Sequence, residues 1–172
     1  ARAGVVLDRL LVQHAGELLG LSGVHYLRFP DGELEPSIPL RKAIVRVMRQ
    51  LKADVVICQD PRSLVDDDST YLNHPDHRAA GQAALDAAFP AAGNPSAFRD
   101  LLAEGLLPHK PREVWLYFTS SAFANHWVDI SETIELMRDS VSSLAAIGLA
   151  TKKLKLGSTQ IVRLRGPVVM AQ

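Results

Sequence analysis

The sequence predicts an α/β fold with a parallel sheet, and three observations support this. Short apolar runs at residues 55–58 and 113–118 have the composition of buried strands. Amphipathic segments alternate with these runs, which is typical of βαβ units joined by right-handed crossovers. The length of 172 residues fits one domain, which we predict to cover residues 1–172.

Each element is predicted from a local pattern. Helices are expected where apolar residues recur at three- and four-residue spacing, and strands where branched and aromatic residues cluster. The first helix should end at Gly20, and the first strand should stop at the Pro-Asp-Gly turn of residues 30–32. The predicted helices are residues 1–19, 40–51, 75–88, 98–104 and 131–149. The predicted strands are residues 24–29, 55–58, 113–118 and 160–164.

Composition narrows the classes of partner. Lysine and arginine total 19, as do aspartate and glutamate, so no excess positive charge favours nucleic acid or an anionic membrane. No apolar run approaches the roughly 18 residues of a membrane span. The single cysteine, Cys58, lies in an apolar run, where a small buried thiol and a reducing, cytoplasmic setting are expected. Whether the protein forms a homo-oligomer stays open.

The residues that could carry chemistry lie in the segment 71–78, which has the sequence YLNHPDHR. Pro75 suits the first position of a helix, which makes His74 its cap and places Asp76 and His77 in the first turn. Imidazoles three residues apart point to the same side, so one can bind a metal while the other exchanges a proton with substrate. Asp76 could orient one of them. The alternative is that these side chains simply cap and solvate a helix end.

Three segments occur in the order seen in a known family. They are FPDGEL at residues 29–34, NHPDHRAAG at residues 73–81 and WVDISETI at residues 127–134. From about residue 14 to residue 136 the chain thus resembles the LmbE-like (PIG-L) family of zinc-dependent sugar N-deacetylases. The resemblance implies a Rossmann-like three-layer fold with a mostly parallel sheet. It also implies one catalytic zinc and removal of an acetyl group from an N-acetylglucosamine-type sugar conjugate.

The resemblance assigns roles to individual residues. His77 matches the zinc ligand of the family. His74 matches the histidine that stabilises the tetrahedral intermediate and protonates the departing amine, and Asp76 matches the carboxylate that orients it. Substrate contacts are predicted for three further residues, which are Tyr71, Arg9 and His126.

One family signature is absent from the sequence. It is a strand ending in Ala-His-Pro-Asp-Asp, which supplies the other zinc ligands and the general base, and a catalytic zinc normally takes three protein ligands. We expect either an upstream strand and crossover in a longer protein or a form that cannot do the chemistry. The competing hypothesis is a non-catalytic carbohydrate-binding or scaffold protein of the same fold. A nucleotide-binding protein is disfavoured, since no glycine-rich phosphate loop follows a strand.

Overall fold

A computed structural model describes residues 12–13, 16–17, 21–69, 71–131 and the backbone of residues 169–171. The chain divides into two compact units. The first consists of Leu27–Trp127 and Val169–Gln172, and the second consists of Ala1–Tyr26 and Val128–Val168. The fold below is that of the first unit, and the single domain over residues 1–172 stays a prediction. In the stretches that the structure describes, no helix is long and apolar enough to cross a lipid bilayer.

The described strands form one sheet in the order β1-β2-β4-β3. Strand β1 (Val55–Gln59) pairs in parallel with β2 (Glu113–Tyr117), with Val55 opposite Glu113. Two short strands, β3 (His126–Trp127) and β4 (Val169–Ala171), pair antiparallel with each other, and β4 pairs antiparallel with β2. The predicted α/β fold and its parallel strand pair are confirmed, whereas the antiparallel pairs were not predicted.

Helix α1 (Ile38–Leu51) confirms the amphipathic segment. The Ser37 hydroxyl caps it by accepting from the amide of Leu40 at 3.4 Å, and a left-handed Lys52 (φ 49°) ends it. Its apolar face packs into the core with the alanine-rich helix that follows β1. The buried residues of this face are Leu40, Ile44, Val45 and Met48.

Arg49 is the charged residue of α1 that enters the core, with 2% of its surface exposed. Its guanidinium donates to four carbonyls of one loop, those of Ala91, Ala92, Asn94 and Ala97, at 2.9 to 3.1 Å. Burial lowers the pKa of Arg49, while the carbonyl oxygens replace the water that the cation loses. Arg49 therefore holds the segment of residues 91–97 against α1.

Helix α2 (Pro75–Asp86) starts after β1 and a loop, continues into a short π-helical segment (Ala87–Ala91) and packs on β1. Its buried face consists of small residues, including Ala79, Gly81 and Ala83. A Cβ atom added to Gly81 would lie 2.2 Å from the carbonyl oxygen of Gln59. Small side chains therefore let α2 approach the carboxyl end of β1 closely.

Replacing Gly81 with alanine is expected to destabilise the protein. Alanine normally favours a helix by about 1 kcal/mol over glycine, but here the new methyl group meets a backbone atom. The shift of α2 should lower the free energy of unfolding by about 1–3 kcal/mol, as measured by urea denaturation. Gly23→Ala is the matched control, because an added Cβ there meets nothing within 4 Å. A Gly81→Ala protein as stable as the wild type would contradict the close approach.

The remaining predicted elements have mixed outcomes. A short helix, α3 (Arg99–Ala103), confirms the prediction for residues 98–104. Cys58 is buried, as predicted, and burial raises the pKa of its thiol to about 12. The predicted strand at residues 24–29 is wrong, because Arg28 has a left-handed φ of 61° and no described strand pairs with the segment. Residues 12–13 and 16–17 are helical, as expected. The rest of the first helix, residues 132–149 and the strand at residues 160–164 lie outside the described residues.

Candidate active site

The predicted His-Pro-Asp-His cluster lies where α2 begins, beyond the carboxyl end of β1. His74 is the cap of α2 and Pro75 its first residue, so both local predictions are confirmed. The Nδ1 atom of His74 accepts from the backbone amide of Asp76 at 3.2 Å. Because Nδ1 is an acceptor, the neutral imidazole of His74 carries its proton on Nε2.

The two imidazoles lie side by side but in different environments. The ring centroids of His74 and His77 are 5.3 Å apart, with the planes tilted by 47°. The His74 side chain is 46% exposed. His77 is more enclosed, and its buried Nδ1 has no hydrogen-bond partner among the described residues. The pair thus combines an accessible imidazole with a partly buried one, whose buried Nδ1 has no described partner.

Burial also sets the protonation state of His77. Desolvation is the main cause that lowers its pKa, and the neighbouring His74 acts in the same direction. The carboxylates of Asp76 and Asp31 oppose this effect without reversing it. His77 is therefore held in the neutral form, which is the form of imidazole that binds metals.

Asp76 ties the site to a distant turn. Its side chain is buried, and Oδ2 accepts from the amide of Gly32 at 2.6 Å while Oδ1 accepts from the amide of Leu34 at 3.3 Å. Gly32 has a φ of +81°, which confirms the turn predicted in the FPDGEL segment. Oδ1 of Asp76 lies 4.0 Å from Nδ1 of His74, beyond hydrogen-bond distance. Its role in orienting His74 stays a prediction.

A buried polar network that the sequence did not reveal supports the loop between β1 and α2. Asp60, fully buried, accepts from the hydroxyl of Thr119 at 2.7 Å and from the guanidinium of Arg62 at 2.8 and 3.0 Å. Burial opposes its charged form, yet the bonds from Arg62 and Thr119 hold the pKa of Asp60 below its usual value. This carboxylate joins the loops that leave β1 and β2.

Whether the described residues could hold zinc depends on the ligand set. His77 fits one ligand position, because its ring is neutral and has an unpartnered buried nitrogen. In the part of the chain that the structure describes, no three His, Cys, Asp or Glu side chains form a group that could hold a metal ion. A catalytic zinc needs three protein ligands, so these residues supply part of a site.

Comparisons with known proteins identify the family of this chain. A family model described as PIG-L, GlcNAc-PI de-N-acetylase, matches residues 11–88, which include the FPDGEL turn, β1 and all of α2. Diacetylchitobiose deacetylase of Thermococcus kodakarensis is 36% identical over 124 residues, 72% of this chain and 43% of the relative. The chain belongs to the PIG-L family.

Solved structures share the fold of this PIG-L chain. The N,N'-diacetylchitobiose deacetylase from Pyrococcus horikoshii, solved with its inhibitor MPG, has a TM-score of 0.65 and 28% identity, covering 85% of this chain and 49% of that one. A conserved protein from Thermus thermophilus has a TM-score of 0.56 and 24% identity, with coverage of 80% and 54%, and shows likeness of fold alone. The PIG-L chain spans less than half the length of its curated relative, at 43%.

Two of the other predicted site residues of the PIG-L chain, Tyr71 and His126, pack against aromatic rings outside the imidazole pair. Tyr71 is 38% exposed, and its ring packs edge-on against that of Phe118, with centroids 5.7 Å apart. His126 lies on β3, which β4 and β2 separate from β1, and its ring packs 6.0 Å from that of Trp115. Arg9 lies outside the described residues. The substrate contacts of all three stay predictions.

Proposed function

We propose that this chain carries part of the active site of a zinc-dependent deacetylase that acts on N-acetylated sugars of the diacetylchitobiose type. The observation that carries the proposal is the imidazole pair at the start of α2. One ring is partly buried, neutral and has a buried nitrogen without a described partner, whereas the other is half-exposed, with ring centroids 5.3 Å apart. The 36% identity to a diacetylchitobiose deacetylase supports the choice of substrate class.

Hydrolysis of an acetamide needs a polarised carbonyl, an activated water and a proton for the departing amine. Zinc, when bound, supplies the first two, since it acts as a Lewis acid and lowers the pKa of a bound water. His77 is the described residue that would hold it. The described residues contain no group of three suitable side chains, so they do not supply a complete set of zinc ligands.

His74 is the proposed source of the proton for the amine. Its ring faces solvent on one side, so a substrate nitrogen could approach it. In the structure Nδ1 accepts from the amide of Asp76, so Nε2 is the ring nitrogen left to face a substrate. To act as an acid the ring must first take up a second proton, in which form Nδ1 no longer accepts from that amide; Nε2 would then give its proton to the amine and leave the ring neutral. A positioned imidazole is the commonest general acid in proteins, since its pKa lies near neutrality.

The test uses the protein expressed from its complete coding sequence and loaded with zinc. Incubation with N,N'-diacetylchitobiose should release acetate and a primary amine in equal amounts, measured by enzymatic acetate assay and amine derivatisation. N-acetylglucosamine and its conjugates define the substrate range. A protein that binds zinc stoichiometrically yet releases no acetate from any of these sugars would overturn the proposal.

A non-catalytic carbohydrate-binding or scaffold function is the second candidate. It is favoured by one observation, that the described residues offer no complete metal site. Metal analysis of the complete protein separates the two proposals. Binding of N,N'-diacetylchitobiose without bound zinc and without acetate release would support the second one.

A further inference from the structure

We propose that Asn73 is a positioning residue that fixes the backbone next to His74 and thereby holds the His74 imidazole in one place and one tautomer. The proposal rests on the proposed function in one respect, since it takes His74 to be the group that acts on substrate. Asn73 itself is fully buried and touches no solvent from which substrate could enter.

All four polar groups of Asn73 are hydrogen-bonded. The side-chain Nδ2 donates to the carbonyl of Ser63 at 2.7 Å, and Oδ1 accepts from Nε2 of Gln59 at 2.9 Å. The backbone amide donates to the carbonyl of Leu64 at 2.8 Å. The backbone carbonyl accepts from Nη1 of Arg78. No polar group of this residue is left without a partner.

These partners come from a strand, a loop and a helix. Gln59 is the last residue of β1, Ser63 and Leu64 belong to the following loop, and Arg78 lies in α2. Moving Asn73 would break several of these bonds together, and each buried group left unpaired costs about 1–3 kcal/mol. The position of residue 73 is thus determined from the strand, the loop and the helix at once.

His74 depends on this anchoring because its own side chain has few contacts. Its side chain is 46% exposed, and its contacts, the bond from the amide of Asp76 and the neighbouring ring of His77, all lie within the first turn of α2. Pro75 restricts the backbone of the residue before it, which agrees with the extended ψ of 138° at His74. With Asn73 fixed on one side and Pro75 on the other, the Cα–Cβ direction of His74 is set by backbone rather than by packing of the ring.

The experiment compares two substitutions with a stability control, all in the complete zinc-loaded protein. Asn73→Ala removes both side-chain bonds, whereas Asn73→Asp keeps an oxygen for Gln59 but loses the donor to Ser63. Arg49→Met is the control, since it should destabilise a buried network that holds the loop of residues 91–97 and does not contact His74.

The deciding measurement is a long-range proton–nitrogen NMR spectrum of the imidazoles. In the wild type and in Arg49→Met, His74 should show a single tautomer with the proton on Nε2. In both Asn73 variants the signals should average between tautomers. If His74 keeps the wild-type signals in both Asn73 variants, or if Arg49→Met changes them as much, the proposal is overturned.

Kinetics then give the consequence for catalysis. In both Asn73 variants kcat for N,N'-diacetylchitobiose should fall about ten- to hundredfold, because misplacing a reacting group by about 1 Å costs up to that much. KM and zinc content should stay near wild-type values, since Asn73 contacts neither His77 nor substrate. Absence of any deacetylation by the wild type would overturn the proposed function while the NMR result still decides the role of Asn73. Averaged tautomers with an unchanged kcat would support the positioning role and overturn the proton-donor role of His74.

Discussion

Replacing His77 with alanine is expected to abolish both zinc binding and deacetylation in the complete protein. His77 combines the two properties of a ligand that this structure shows, a buried ring nitrogen without a described partner and a pKa lowered by burial. The substitution removes one of the three protein ligands that a catalytic zinc normally has. Loss of a residue that only supports a ligand lowers zinc affinity about 10- to 100-fold, so loss of a ligand itself should lower it by far more. Metal content by mass spectrometry, together with acetate release, measures both effects.

The control for His77→Ala must remove a histidine without touching the site. His25→Ala serves, because His25 is exposed and belongs to the compact unit that does not contain α2. It should keep the zinc content and acetate release of the wild type. If His77→Ala binds as much zinc as the wild type, His77 is not a ligand, and its unpartnered nitrogen needs another explanation.

Local rules were enough to predict the elements that frame the site. The apolar run at residues 55–58 predicted β1, because a buried strand is apolar along its length. The helical periodicity of residues 40–51 predicted α1, because a surface helix buries one face. The cap at His74 followed from Pro75, which fits only the first turn of a helix. Each of these features is decided by residues a few positions apart.

The contacts that complete the site depend on long-range packing and could not be predicted. Asp76 accepts from the amides of Gly32 and Leu34, more than 40 residues earlier, and nothing in either segment indicates the other. Asn73 is an ordinary loop residue by type, and its burial follows from the closing of the loop onto β1. The predicted strand at residues 24–29 was wrong for a related reason. Its residues are typical of a strand, but a strand also needs a partner, and no described strand pairs with this segment.

The imidazole of His74 has two roles that a pair of substitutions can separate. Its Nδ1 caps α2, and the loss of a helix cap costs about 0.5–2 kcal/mol of stability. The proposed second role is proton transfer to the departing amine, which a positioned acid accelerates by about 10²–10⁴-fold. His74→Ala removes both functions, whereas asparagine is a good cap residue that cannot transfer a proton near neutral pH.

We therefore expect His74→Asn to have the thermal stability of the wild type but a kcat reduced about 10²–10⁴-fold, as low as that of His74→Ala. Both variants should retain zinc, because the unpartnered nitrogen assigned to the metal belongs to His77. The measurements are thermal denaturation, metal content and initial rates of acetate release from N,N'-diacetylchitobiose. If His74→Asn regains the wild-type kcat along with its stability, the contribution of His74 is that of a cap, and the proton for the amine must come from another group.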